Sequence, residues 1–369
     1  MPQRCPGKCR VALKSSLTRV LSLSTAFLLL AGCSVAELER VATEGDLFSA
    51  NPPIVSRVKG EGAAPAAGAS ELLSVDAILM GGQQDVRGVG GQFRRLAVGA
   101  VEEVVLRQPV SVAGVDDILY IVDAEPKIVF QYDLVTRLFR PIVEIATYFV
   151  GDPGSIYVAK DRSFYIVDML GKQVLHFAED GTLLNRFQDL ANLSRPIDVI
   201  VDEMTGNVFV ADGSFSHVVV FNPFGKAVRA LGRRGTGPGR FRAITAMAVG
   251  ADGLYIFDRL ELPVQVLTWE GEFRYAFGEG ELTFPIAAAL DREQRLYVSD
   301  ESDNTIRIYQ DGRLQATFGG SGAAPGRFRR ASGLWVNGDR LYVADSLNRR
   351  VQILRIQQGA SPPADNSGG

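Results

Sequence analysis

Aspartate recurs along this chain at a nearly fixed interval. Asp123, Asp168, Asp212, Asp258, Asp300 and Asp345 follow one another at spacings of 45, 44, 46, 42 and 45 residues. Six carboxylates in register are a candidate metal or acid–base array. Each, however, ends a run of the form apolar, aromatic, apolar, any residue, Asp, and then begins a turn, where aspartate accepts backbone N–H bonds. They are read as structural. The two histidines, His176 and His217, lie eight and five residues after their aspartates, at different repeat offsets. They read as strand-surface residues rather than metal ligands. Ser216-His217 lacks the turn context of a nucleophilic serine. The arginines carry the remaining chemistry. Arg94 and Arg95, then Arg233, Arg234, Arg240 and Arg242, then Arg327, Arg329 and Arg330 fall in three segments between repeats. A planar guanidinium suits carboxylate, sulfate or phosphate. These nine are the candidate partner-binding residues, the alternative being that each pairs with a neighbouring aspartate. No catalytic residue, metal ligand or cofactor is assigned.

The elements that must position these residues are strands. The runs are Leu119–Asp123, Phe164–Asp168, Val208–Asp212, Leu254–Asp258, Leu296–Asp300 and Leu341–Asp345. A repeat of 20–50 residues marks a solenoid, propeller or array. It overrides the two or three domains that a length of 369 residues suggests. Within the last period, Ala331–Val336, Leu341–Ala344 and Val351–Ile356 read as strands separated by the turn signals Asn337-Gly338-Asp339 and Asp345-Ser346-Leu347-Asn348. Earlier periods add a fourth, such as Phe273–Phe277 after Glu270-Gly271. Four short antiparallel strands per period predict an all-β, six-bladed β-propeller. The last period lacks its fourth strand, which would leave an open edge. Leu72–Met80, trailed by Gly81-Gly82, is expected to supply it and close the ring.

Residues at one repeat offset form a ring about the axis. The innermost strands start at Pro109, Pro153, Pro196, Ile244, Pro285 and Ala331. Two residues on stand Ser111, Ser155, Asp198, Ala246, Ala287 and Gly333, small residues where six strands converge. One acid in that ring is too few to cage a hard cation that takes six or more oxygens.

The linker Gly319–Phe328, with Pro325-Gly326-Arg327-Phe328 followed by Leu341–Asp345 and Asn348-Arg349-Arg350-Val351, resembles the NHL-repeat family of six-bladed propellers. Gly232–Phe241 is a second such linker, and Gly88-Val89-Gly90-Gly91-Gln92-Phe93 a degraded third. Phe93, Phe241 and Phe328 are expected to plug gaps between blades. The resemblance spans about residues 72–356 and implies a non-catalytic binding scaffold that recognises a protein or acidic glycan through one face. Related propellers in amidating lyases and gluconolactonases carry axial metals, so an axial-metal enzyme is the alternative. The lyases need several histidines and the lactonases several axial acids or amides, which this chain lacks.

Residues 1–32 combine Arg4, Lys8, Arg10, Lys14 and Arg19 with a short apolar stretch, Val20–Leu30, too short to span a membrane. Leu30-Ala31-Gly32-Cys33 resembles the lipobox of bacterial lipoproteins, which implies lipidation of Cys33 and cleavage before it. Ser34 then favours the outer membrane over inner-membrane retention. Cleavage removes Cys5 and Cys9 and five basic residues, leaving 34 Lys+Arg against 42 Asp+Glu, a net of −8. No disulfide within the mature chain is then possible, and nucleic acid is not an expected partner of an exported acidic protein. Residues 33–70, rich in Gly, Ala and Pro near their end, are expected to form a flexible tether; residues 71–357 the propeller; residues 358–369 a disordered tail. Wild type is therefore expected to partition into detergent and to begin at a modified Cys33, and Cys33→Ala to block processing. Intact mass of the membrane fraction checks both, and an unmodified Cys33 on a soluble mature protein removes the anchor.

Overall fold

The computed structural model describes residues 55–57, 72–84 and 103–357. Cys33, Ser34, the signal segment, Gly88–Phe93, Arg94, Arg95 and the tail lie outside the described residues. The described chain forms six four-stranded antiparallel blades and, among these residues, no α-helix. From inner to outer strand, blade one is Pro109–Val115, Ile118–Asp123, Ile128–Asp133 and Phe139–Glu144. Blade two is Pro153–Val158, Phe164–Asp168, Gln173–Phe177 and Leu183–Gln188. Blade three is Pro196–Asp202, Asn207–Asp212, His217–Phe221 and Ala227–Leu231. Blade four is Ile244–Gly250, Gly253–Asp258, Val264–Leu267 and Phe273–Phe277. Blade five is Pro285–Leu290, Leu296–Asp300, Thr305–Gln310 and Arg313–Gly319.

Blade six takes its three inner strands, Ala331–Asn337, Arg340–Asp345 and Arg350–Ile356, from the C-terminal end of the propeller. Its outer strand is Leu73–Leu79, paired antiparallel from Leu73 with Ile356 to Leu79 with Val351. The expected closure is therefore present. Beyond it, Val55–Arg57 pairs with Ala77–Leu79, so the stretch read as a tether contributes a short edge strand.

The apolar residues form six clusters, one in each gap between neighbouring blades. This explains why the repeated run is buried along its whole length, as at Leu341–Asp345. Strands covered on both faces need no polar alternation. Phe241 and Phe328 are fully buried between blades, as expected. Gly232 and Gly319 lie against their rings at φ 71° and 101°, where a Cβ would come within 2.5 and 2.6 Å of a ring carbon. Glycine is required there by both backbone and space.

Every inner strand carries a β-bulge near its start. Pro109 pairs with Asp123 but Ser111 with Val122, leaving Val110 unpaired, and the other five blades repeat this shift. The axial ring follows directly after the bulge. Adjacent blades are stitched there: the Ile156 N–H donates to Ser111 Oγ at 3.2 Å, and Ser155 Oγ donates to Asp198 Oδ1. Asp198 also accepts from the N–H of Val199 at 2.9 Å and of Met247, in blade four, at 2.7 Å. Between blades six and one the spacing is so close that a Cβ on Gly333 would lie 2.9 Å from Ser111 Cα.

Burial pushes the Asp198 carboxyl up to about 6, against the pull of its three donors. Between about pH 4 and pH 6 the folded chain keeps a proton that the unfolded chain has released, so this group lowers stability as pH rises through that window and contributes no slope above it. Asp198→Asn keeps the shape and an acceptor oxygen for Met247 but cannot ionise. The wild-type stability, relative to Asp198→Asn, is expected to fall by roughly 2 kcal/mol from pH 4 to pH 7. Denaturant unfolding of both proteins across this range is the measurement, and parallel pH profiles refute the assignment. Deleting residues 72–80 removes Leu73, Ile78 and Leu79 from the core and bares the last blade, an expected loss of about 5 kcal/mol. Removing residues 34–60 is expected to cost about 1 kcal/mol or less. Equal melting temperatures for the two deletions would contradict the closure.

Candidate binding face

Strands alternate in direction along a blade, so the linker entering each inner strand and the turn from second to third strand emerge at the same end. The six repeated aspartates stand there, all essentially inaccessible to solvent. A buried carboxylate needs donors, and the linkers supply them. Asp123 accepts from the N–H groups of Arg107 and Gln108 at 2.8 and 2.6 Å. Asp212 accepts from Ser194 and Arg195, both at 2.6 Å, and also from its own turn at Ser214 and Phe215. Asp258 binds the N–H groups of Arg242 and Ala243 at 2.5 and 3.1 Å, and Asp345 that of Arg329 at 2.8 Å. The aspartates are structural, as the turn chemistry implies.

These bonds decide what the linker arginines do. Where Arg242 and Arg329 meet a rim aspartate, the backbone makes the contact and the side chain stays exposed. Arg233, Arg234 and Arg240 are exposed as well. None of these five side chains makes an ion pair or hydrogen bond with a described residue. Arg327 and Arg330 differ. The Arg327 guanidinium donates to the Gly319 carbonyl at 2.5 Å, folding over its own linker, and Arg330 Nε pairs with Glu301 at 3.3 Å. Wholesale pairing with the rim aspartates is not observed. The structure brings Arg233 and Arg240 together as partners in a short parallel pairing of Arg233–Arg234 with Arg240–Phe241. Arg327–Arg330 lie two blade junctions away, and the linker between the two groups carries Glu279 and Glu281.

Two residues that set this geometry are not apparent from the linkers themselves. Gln265 and Gln352, fully buried in third strands, clamp the two glycine-rich linkers identically. Gln265 Oε1 accepts from the Gly239 N–H at 2.9 Å while Nε2 donates to the Arg240 carbonyl at 2.8 Å. Gln352 does the same with Gly326 and Arg327 at 2.9 and 2.7 Å. Both stand seven residues after their aspartate, a shared offset that identifies them in retrospect. The same face exposes large apolar tips, Val150, Leu170, Leu190, Phe215, Leu260 and Leu347, between 42% and 73% accessible.

Of the histidines, only His217 stands at this face, beside Phe215. His176 stacks on Tyr165 at 3.9 Å between ring centroids, and burial lowers its basicity. His217 Nε2 lies 2.7 Å from the Asn192 carbonyl. Among the described residues, no group of three or more His, Cys, Asp or Glu is placed to hold a metal ion.

No protein-family model matches the chain, and no curated protein matches it. Solved structures share its fold. An auxiliary nutrient binding protein from Bacteroides thetaiotaomicron superimposes with a TM-score of 0.54 at 12% identity, covering 69% of this chain and 70% of that one. A catalytically inactive virginiamycin B lyase from Staphylococcus aureus gives 0.52 at 11% identity, over 68% and 95%. A gluconolactonase from Xanthomonas campestris gives 0.51 at 14% identity, over 68% and 88%. The chain is thus a six-bladed β-propeller of a kind that serves both binding proteins and enzymes.

Proposed function

We propose that this protein is a non-catalytic binding scaffold of the NHL-repeat type, held at the cell envelope by lipid on Cys33, and that its linker face recognises an acidic partner. The observation that carries this reading is the set of exposed guanidinium groups of Arg233, Arg234, Arg240, Arg242 and Arg329, unpaired among the described residues, on one face of an acidic chain. An unpaired arginine is free to make bidentate contacts with carboxylates. The apolar tips on the same face favour a protein over a glycan, because exposed aliphatic side chains gain most by burial against other apolar groups. Binding proteins and enzymes both use this fold, so the site, not the fold, supports the reading.

Reversing Arg234, Arg240, Arg242 and Arg329 to Glu is expected to abolish capture of partners from cell-envelope extract. Each reversal should shift stability by only about 0.5 kcal/mol. Wild-type capture should weaken as salt rises, since attraction is screened over about 8 Å at physiological ionic strength. Arg330→Glu serves as a contrast, because it sets two acids beside each other at Glu301 and should cost stability. Capture that is identical in the reversed protein and at both salts would refute the arginine face. Stoichiometric metal in the purified domain, measured by plasma mass spectrometry, would favour the axial-metal enzyme instead.

A further inference from the structure

On the end of the propeller opposite the linkers, tyrosine hydroxyls bridge two of the gaps between blades. Tyr120, in blade one, donates its hydroxyl to the Arg162 carbonyl of blade two at 2.9 Å. Tyr157, in blade two, reaches Glu203 of blade three at 3.1 Å. In blades four and five the hydroxyls bond within their own blade: Tyr255 lies 3.2 Å from the hydroxyl of Tyr275, Tyr275 donates to Asp252 at 2.8 Å, and Tyr297 donates to Asp291 at 2.9 Å. At this end a cleft of about 140 Å³ opens between blades four and five, above their shared apolar cluster.

Aromatic rings wall this cleft. Tyr275 and Phe277 stack with centroids 6.2 Å apart, and Phe277 meets Tyr309 of blade five at 5.3 Å. Tyr255 and Leu296 complete the apolar lining, and Gln294, anchored by the Ala251 N–H at 2.7 Å, forms part of the rim. Two carboxylates border it. Asp252 is neutralised by Arg274, with Nη1 to Oδ1 at 3.2 Å. Asp311 is exposed at a turn with φ 51° and makes no hydrogen bond or ion pair with a described residue. Aromatic faces carry negative potential, so rings beside an unpaired carboxylate attract a cation and repel an anion. The volume corresponds to about five water molecules, well below the roughly 300 Å³ at which pockets for drug-sized ligands begin. Only a small headgroup fits.

We propose that the cleft between blades four and five binds a small organic ammonium group, held by the partly exposed rings of Tyr275 and Phe277 and by the charge of Asp311. This site is separate from the linker face and does not depend on the arginines. Two sources carry such a group, a free quaternary amine and a lysine side chain of a protein, and two probes separate them.

The test is a ligand-observed NMR titration of the intact propeller with tetramethylammonium and, separately, with Nα-acetyl-lysine amide, using tert-butanol as a neutral control. Saturable binding in the millimolar range is expected for at least one ammonium probe, weakening as salt rises, with none for the alcohol. The tighter probe identifies the source. Tyr275→Ala and Asp311→Asn should each weaken binding about tenfold, and Asp311→Asn should also remove the salt dependence. Tyr275 is only partly buried and Asn tolerates positive φ, so both variants should fold. Tyr309→Phe keeps the ring and should bind within about twofold of wild type. Equal binding of tert-butanol reduces the cleft to an apolar crevice and overturns the proposal. So does loss of binding in Tyr309→Phe, which would mark a hydrogen-bonding site, or the absence of saturable binding by either ammonium probe.

Discussion

The hydrogen bonds from linker backbone to a buried rim aspartate are the constraint on which this propeller rests. Each such carboxylate is fully enclosed at the end of a second strand, where an unpaired charge would be ruinous. It becomes tenable only if the preceding linker delivers N–H groups to it. Each bond of this charged kind contributes about 1.5–3 kcal/mol, and more if its loss orphans the partner. The aspartate therefore fixes where one blade hands over to the next. In blade six the same carboxylate also receives Arg350 Nε at 2.8 Å and Gln352 Nε2 at 3.0 Å, so turn, linker and third strand converge on one residue. The linker side chains are released by this arrangement. Their backbone does the structural work, and the arginines are left to face solvent.

The architecture was largely readable from sequence because the repeated run has two simultaneous reasons to exist. Its apolar residues fill the gaps on both sides of a second strand, and its aspartate caps the turn. Losing either would break a blade, so the pattern is complete in all six. The closing strand was legible for a similar reason: the last blade lacked a partner, and Leu73–Leu79 was the available apolar run. The inner-strand bulges were not legible. A bulge adds one residue without altering the composition around it, and the proline that precedes it fits equally well in an unbulged strand. Gln265 and Gln352 were hidden because a buried amide inside an apolar strand looks like a tolerated exception until its partners are seen. The aromatic cleft was hidden for another reason. It depends on how side chains of two blades meet, and side-chain direction across a gap leaves no trace in spacing.

The candidate residues divide accordingly. Seven of the nine arginines lie among the described residues, and their roles separate once local geometry is known. Arg327 closes its own linker and Arg330 serves an ion pair, whereas Arg233 and Arg240 stand side by side with no ion-pair partner among the described residues. Sequence position identifies a face, and the hydrogen-bond accounting of the backbone identifies which side chains on that face are free. The opposite end follows the same logic in reverse. There tyrosine hydroxyls join blade one to two and two to three, whereas in blades four and five they bond within their own blade.

The ring is closed by the two ends of its own chain. Gln357 Nε2 donates to Ser74 Oγ across 283 residues of sequence. The entropy of closing so long a loop is modest, since each doubling of length adds only about 0.6 kcal/mol. The larger effect is on the order of events. Blades one to five are each assembled from local hairpins, whereas the edge of Leu73–Leu79 that faces Arg350–Ile356 has no partner until that last strand has been made. During synthesis it is an unpaired edge for nearly the whole life of the nascent chain, the kind of surface that recruits neighbouring chains. A chain that stops short of Arg350–Ile356 leaves both that edge and the facing edge of Arg340–Asp345 unpaired, so one strand completes the last blade from two sides at once.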